Sequence, residues 1–148
     1  MTSFYLIYAS VSGNTELVMD YCRHEISQAG HIATLFRAER MPTHILESGT
    51  HFIFGVSTWE HGEINPHFLP FLEFMGKQSL NGKKAAFVGL GDTRYEPELF
   101  CAGIDRIQKT FINQGGEELL PTLKLNGEPQ GQIDERVRPW VLELVSKI

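Results

Sequence analysis

Residues Ser10 to Glu16, Ser-Val-Ser-Gly-Asn-Thr-Glu, bring three hydroxyl side chains and one glycine to the point where an apolar run, Phe4 to Tyr8, gives way to helical spacing. A strand that empties through such residues into a helix start is suited to holding an anion. The first N–H groups of a helix lack intrahelical partners and carry partial positive charge, so phosphate is a natural ligand there. Ser10, Ser12 and Thr15 add hydroxyl donors, and Gly13 permits a close backbone approach or a positive φ. The loop itself contains no Lys or Arg. Neither the G-x-x-x-x-G-K-[ST] nucleotide loop nor the G-x-G-x-x-G fingerprint occurs in the chain. The chemistry expected is a single terminal phosphate held by dipoles and hydroxyls.

Two later stretches have the same character. Ser57-Thr58-Trp59-Glu60-His61-Gly62-Glu63 follows one apolar run, and Gly91-Asp92-Thr93-Arg94-Tyr95-Glu96 follows another. Each places one large aromatic residue in a polar loop, where burial does not account for it. Either aromatic alone could simply cover a sheet end. As a pair flanking a crevice, Trp59 and Tyr95 can stack on both faces of a flat ring at modest entropic cost.

The elements that must position these loops alternate along the chain. Asn14 to Gln28 places Val18, Cys22, Ile26 and Ala29 on one helical face and ends at Ala29-Gly30. His31 to Arg37 reads as a strand, and Ala38 to Thr50 leaves room for at most one short helix. His51 to Ser57 is a buried strand. Phe68, Phe71, Leu72 and Met75 form a helical stripe with Pro70 in its first turn. Lys84 to Leu90 is the next strand, and Phe100, Ile104, Ile107 and Phe111 follow helical spacing. Leu119 to Leu125 reads as a fifth strand. Val137, Val141, Leu144 and Ile148 make a closing helix, with Pro139 near its start.

This alternation predicts one α/β domain over residues 1–148, three layers deep, with a five-stranded parallel sheet covered by helices on both faces. The first, third and fourth strands are nearly continuous apolar runs and belong in the centre. The second is mixed and the fifth contains Pro121, which suits an edge. The order 2-1-3-4-5 follows. It puts the ligand crevice at the carboxyl ends of strands one and three, where the winding reverses. All three polar loops emerge on that rim.

Composition narrows the function classes. The net charge of -5 argues against general nucleic-acid binding, and no apolar run is long enough to span a membrane. A leader with a basic start is not apparent, so the cytoplasm is the expected location. Cys22 and Cys101 lack metal or redox spacing and are expected to be buried thiols. His61-Gly62-Glu63 is not accompanied by Pro-Cys-x-x-Cys, and no H-E-x-x-H is present, so no metal site is expected. A phosphoacceptor regulatory domain on the same fold would need acidic residues at the ends of strands one and three; Tyr8-Ala9-Ser10 and Val56-Ser57-Thr58 offer none.

Over its whole length the sequence resembles the short-chain flavodoxins. The resemblance rests on Ser10-Val11-Ser12-Gly13-Asn14-Thr15-Glu16, Ser57-Thr58-Trp59, Gly91-Asp92, Tyr95-Glu96 and Phe100-Cys101; flavodoxin is itself a standard example of the 2-1-3-4-5 order. The resemblance implies a flavodoxin-like fold and non-covalent FMN. Ser10, Val11, Ser12, Gly13, Asn14 and Thr15 would hold its phosphate, with Ser57 or Thr58 assisting. Trp59 and Tyr95 would cover the two ring faces, Glu60, His61 and Gly62 would line the ring loop, and Leu90, Gly91, Asp92 and Cys101 would meet the pyrimidine edge. It further implies an electron carrier without substrate turnover of its own; a monomer is expected because no large exposed apolar stripe is left over in the sequence. Its partners would be redox proteins, a flavin- or iron-sulfur-containing reductase and acceptor enzymes; the alternative is a dedicated donor to one enzyme system. Two departures stand out. Position 60 is Glu where many relatives have Gly, and Pro97-Glu98-Leu99 lengthens the segment between Tyr95 and Cys101. Glu60, Glu63, Asp92, Glu96 and Glu98 set five carboxylates against Arg94 in the two ring loops, a field that disfavours added negative charge there.

Overall fold

A computed structural model describes residues 1–10, 12–40, 43–58, 63–94 and 97–148. The apolar runs become the strands β1 (Ser3–Ala9), β3 (His51–Ser57) and β4 (Lys84–Gly91), flanked by β2 (Ile32–Arg37) on one side. On the other side β5 (Glu117–Glu118) and β6 (Leu123–Asn126) both pair with β4. Every pairing between these strands is parallel and the order is β2-β1-β3-β4-β5, as the composition of the strands requires. The fifth strand departs from expectation. It is broken in two, because Pro121 has no N–H to give a ladder, and the carbonyl of Pro121 instead accepts the indole N–H of Trp140 at 2.9 Å.

Alternation along the strands divides the core into two apolar layers. Ile7, Ala9, Phe52, Phe54, Val56, Ala85 and Phe87 face α3 (Leu69–Met75) and α4 (Ala102–Asn113). Leu6, Tyr8, Ile53, Ala86, Val88 and Leu90 face α1 (Asn14–Gln28) and α5 (Arg138–Ser146). The first layer is built around fully buried Phe54, whose ring lies 5.7–5.9 Å from those of Phe52, Phe87 and Phe111. The remaining helix, α2 (His44–Ser48), is a single short turn in the β2–β3 connection.

α1 occupies the residues its spacing predicts and buries Val18, Cys22 and Ile26, but Ala29 is its exposed C-cap. α3 carries Pro70 in its first turn as expected. α5 is preceded by a π-helical turn over Ile133–Val137, and Ile148 is 40% exposed rather than part of the packed stripe. Trp140 sits between Val137 and Leu144 on the buried face, a position the apolar spacing also allows. Cys22 and Cys101 are free, buried thiols.

Candidate functional site

The register of the sheet brings the strand ends together. Ala9 pairs with Val56, Ser57 with Leu90, and Gly91 with Asn126, so the segments that follow β1, β3 and β4 leave from neighbouring points on one rim. This is the carboxyl edge at which the winding reverses, β1 running to β2 on one side and β3 to β4 on the other.

At the end of β1, Ser10 is buried and its Oγ accepts the N–H of Gly13 at 3.0 Å. Gly13 then takes φ 90° as the N-cap of α1, a left-handed conformation natural to glycine. Among the described residues, no side chain caps this helix. Its first turn therefore opens toward the rim with donors unclaimed by a cap. Thr15 is buried, Ser12 is exposed, and Asn14 Oδ1 accepts an N–H from Gln130 at 3.0 Å. The one carboxylate of the first turn, Glu16, accepts the hydroxyl of Tyr8. This donor set fits the phosphate of a nucleotide-like ligand.

At the end of β3, the N–H of Thr58 donates to the carbonyl of Leu90 at 2.9 Å, and Thr58 Oγ1 accepts the N–H of Gly103 at 3.3 Å. Thr58 thus ties its strand end both to β4 and to the first turn of α4. An isolated antiparallel bridge to Ile64 brings the chain back beside it. At the end of β4, Asp92 forms a bidentate pair with Arg94, at 2.6 Å for the shorter contact. The hydrogen bonds and charge of Arg94 hold the Asp92 carboxyl below its usual range. In the ring-loop field, Arg94 therefore sets its charge directly against the Asp92 carboxylate. Thr93 and Asn126 exchange two hydrogen bonds, both 3.0 Å, which fasten this loop to β6.

Cys101 is the N-cap of α4 with φ 56°, the single non-glycine residue at positive φ among those described. Burial pushes its thiol up to about 12, so it is a packing group and not a nucleophile. The longer approach to it is absorbed by a 3₁₀ turn, Pro97–Leu99. α4 can lie this close because β4 presents glycines to it: a Cβ on Gly91 would stand 3.0 Å from Phe100 Cδ1 and 3.1 Å from Cys101 N.

The structure therefore gathers Ser10, Ser12, Gly13, Asn14, Thr15, Ser57, Thr58, Leu90, Gly91, Asp92 and Cys101 at or next to one rim. Val11, Trp59, Glu60, His61, Gly62 and Tyr95 lie outside the described residues. Two features are added to those the loops announced. Arg37, the last residue of β2, pairs with Tyr8 in register and donates to the carbonyl of Ser10 at 3.0 Å. A cation thus reaches a loop that has none of its own. Its place on the rim follows from the end of a strand beside β1, but the direction of its side chain across to Ser10 carries no sequence signal. The second is the Asn126–Gln132 segment, where Gln132 Nε2 donates to the carbonyl of Asn126 and Gln130 reaches Asn14.

These features define a doubly wound α/β protein whose crevice lies at the switch point, with an anion-suited helix start on one side of it. A family model for flavodoxin matches residues 6–140. The chain is 32% identical over 140 residues to "Probable flavodoxin 2" of Bacillus subtilis, covering 93% of this chain and 90% of that protein. The crystal structure of oxidised Flavodoxin 2 from Bacillus cereus superposes with a TM-score of 0.91 at 29% identity, covering 99% of this chain and all of the other (100%). A flavodoxin from Fusobacterium nucleatum, solved bound to flavin mononucleotide, shares the fold at a TM-score of 0.87 and 20% identity, covering 100% of this chain and 99% of that one. The chain belongs to the flavodoxin family.

Proposed function

We propose that this chain is an electron carrier that holds one FMN non-covalently at the β1, β3 and β4 rim and passes electrons from a reductase to acceptor enzymes. The observation that carries the reading is the start of α1: a helix Asn14–Gln28 with no side-chain cap among the described residues, entered through Gly13 at φ 90°, at the switch point of a flavodoxin-family sheet. When bound, FMN supplies one-electron exchange, which none of the side chains gathered at the rim supplies.

The protein's part is to bind and orient. Ser10, Ser12, Gly13, Asn14 and Thr15, together with Val11, would hold the phosphate through hydroxyl and backbone donors. Ser57 and Thr58 stand at the adjacent strand end. Leu90, Gly91, Asp92 and Cys101 supply backbone and apolar contact to the pyrimidine edge. Trp59 and Tyr95, which follow β3 and β4 in sequence, would cover the ring faces, and Glu60, His61 and Gly62 would line the ring loop. A carrier of this design works through brief, small interfaces with its redox partners.

Titration of the purified protein with FMN, followed by indole fluorescence and visible absorption, tests the reading. Saturable quenching with a shifted flavin band at one equivalent is expected. Protein that neither quenches nor perturbs the flavin refutes it.

A further inference from the structure

We infer that Arg37 is a positioning residue for the phosphate loop: its guanidinium turns the Ser10 peptide so that the loop offers donors, and not acceptors, to the FMN phosphate. The inference rests on the FMN reading above and concerns a residue outside the loop and outside every contact expected for the flavin.

The geometry is a fork with each nitrogen engaged. Nη2 donates to the carbonyl of Ser10 at 3.0 Å, Nε donates to Glu39 at 2.6 Å, and Nη1 lies 3.9 Å from Glu16. The guanidinium carbon stands 5.5 Å from the Tyr8 ring centre, and Tyr8 donates its hydroxyl to Glu16. Tyr8 is buried and Ser10 is buried, so the fork is braced from β1 on the loop side. Three partners in three directions fix the plane of the guanidinium, which a lysine ammonium cannot reproduce.

The effect on Ser10 is specific. A carbonyl facing an anion repels it, so a phosphate loop must turn its acceptors away. The Ser10 carbonyl is taken by Arg37, and the Ser10 Oγ lone pair is taken by the Gly13 N–H. With both oxygens already accepting from within the protein, the hydroxyl proton of Ser10 is free to be offered to an anion. The positive charge of Arg37 is at the same time answered by Glu39 and Glu16. Its contribution is therefore orientation and not a free cation attracting phosphate from a distance.

The experiment compares FMN with riboflavin, which carries the same ring and no phosphate, in wild type, Arg37→Gln and Arg37→Lys. FMN affinity is expected to fall about tenfold or more in both variants, the scale of one lost charge-assisted hydrogen bond, while riboflavin affinity stays unchanged. The loss should persist at ~1 M salt, where screening acts within about 3 Å and long-range charge effects vanish. Urea midpoints of each variant report folding independently. Wild type that binds neither flavin sinks the FMN reading itself. Wild type that binds FMN, with a variant that weakens both flavins equally, or a lysine variant that binds FMN as well as wild type, overturns the role of Arg37. So does a loss that disappears at high salt.

Discussion

Replacing Gly89 with alanine probes how the sheet admits α4 to the rim. A Cβ built on Gly89 would lie 2.3 Å from Ile104 Cγ2, 3.0 Å from Ile104 Cβ and 3.3 Å from Cys101 Cβ. Ordinary carbon contacts sit near 3.5–4.0 Å, so the first of these is short by about 1.5 Å. Ile104 is fully buried and β-branched, with little freedom to swing aside. The helix must therefore shift, at a cost of about 1–3 kcal/mol, or a fall in melting temperature of roughly 2–4 °C for each of those kcal/mol. Ile104→Ala removes the offending methyl and alone costs about 2–5 kcal/mol. The double variant should recover part of the steric cost, leaving a coupling of about 1–3 kcal/mol in a urea-denaturation cycle. Gly131→Ala is the control, since its Cβ meets nothing within 4 Å, and it should stay within about 0.5 kcal/mol of wild type. FMN affinity should fall with Gly89→Ala, because α4 carries Cys101 and the Gly103–Thr58 contact to the rim. Additivity of the two substitutions to within about 0.5 kcal/mol would refute the claim that the missing side chain at Gly89 sets the helix position.

Gly13→Ala meets no steric obstacle but keeps φ 90°, so apo stability should drop by about 1–2 kcal/mol and FMN affinity should fall, measured by urea midpoint and fluorescence titration. Thr58→Val removes the acceptor of the Gly103 N–H and should cost about 1 kcal/mol, whereas Thr58→Ser should spare it. Neither thiol should react with a disulfide reagent in the native protein, and both should titrate on unfolding, since Cys22 and Cys101 are buried. Burial raises the Cys22 thiol from 9.0 to about 12. The unfolded chain then ionises first, and up to roughly 4 kcal/mol of stability is lost as pH rises through that window, three units at 1.36 each; Cys22→Ala should flatten the slope. Glu39 is desolvated, but its hydrogen bond and charge pairing with Arg37 outweigh that and hold its carboxyl below 4.5. Its contribution is therefore complete above 4.5 and lost as pH falls through the lower folded value, and Arg37→Gln should reduce the acid slope of the urea midpoint.

The legible parts of this fold are those written by burial on both faces. Phe52-Ile53-Phe54-Gly55-Val56 has no polar face, so its central position and parallel neighbours follow from composition. α1 is legible because Val18, Cys22 and Ile26 repeat at helical spacing between a glycine entry and Ala29-Gly30. The split of the fifth strand is harder to place: Pro121 marks an edge, yet where pairing resumes depends on β6 finding Val88 to Gly91. The site divides in the same way. Ser10, Gly13 and Thr58 announce themselves by type and by the strand ends they follow. Arg37 does not, because its chemistry lies in a side chain crossing from β2, and Asn126 and Gln130 act through amides whose partners are distant in sequence.

Those distant partners explain how short loops can hold a preorganised site. The β1 loop is held at Ser10 from β2 through Arg37 and at Asn14 from Gln130. The β4 loop is held at Thr93 from Asn126, whose carbonyl is in turn bound by Gln132. The segment Asn126–Gln132 therefore reaches both sides of the crevice, one through Asn126 and the other through Gln130. Each tie restricts the apo rim and lowers the ordering cost that a ligand would otherwise meet on binding. At their rim ends the two outer strands, β2 and β6, hold the loops that the central strands deliver, β2 through Arg37 and β6 through Asn126.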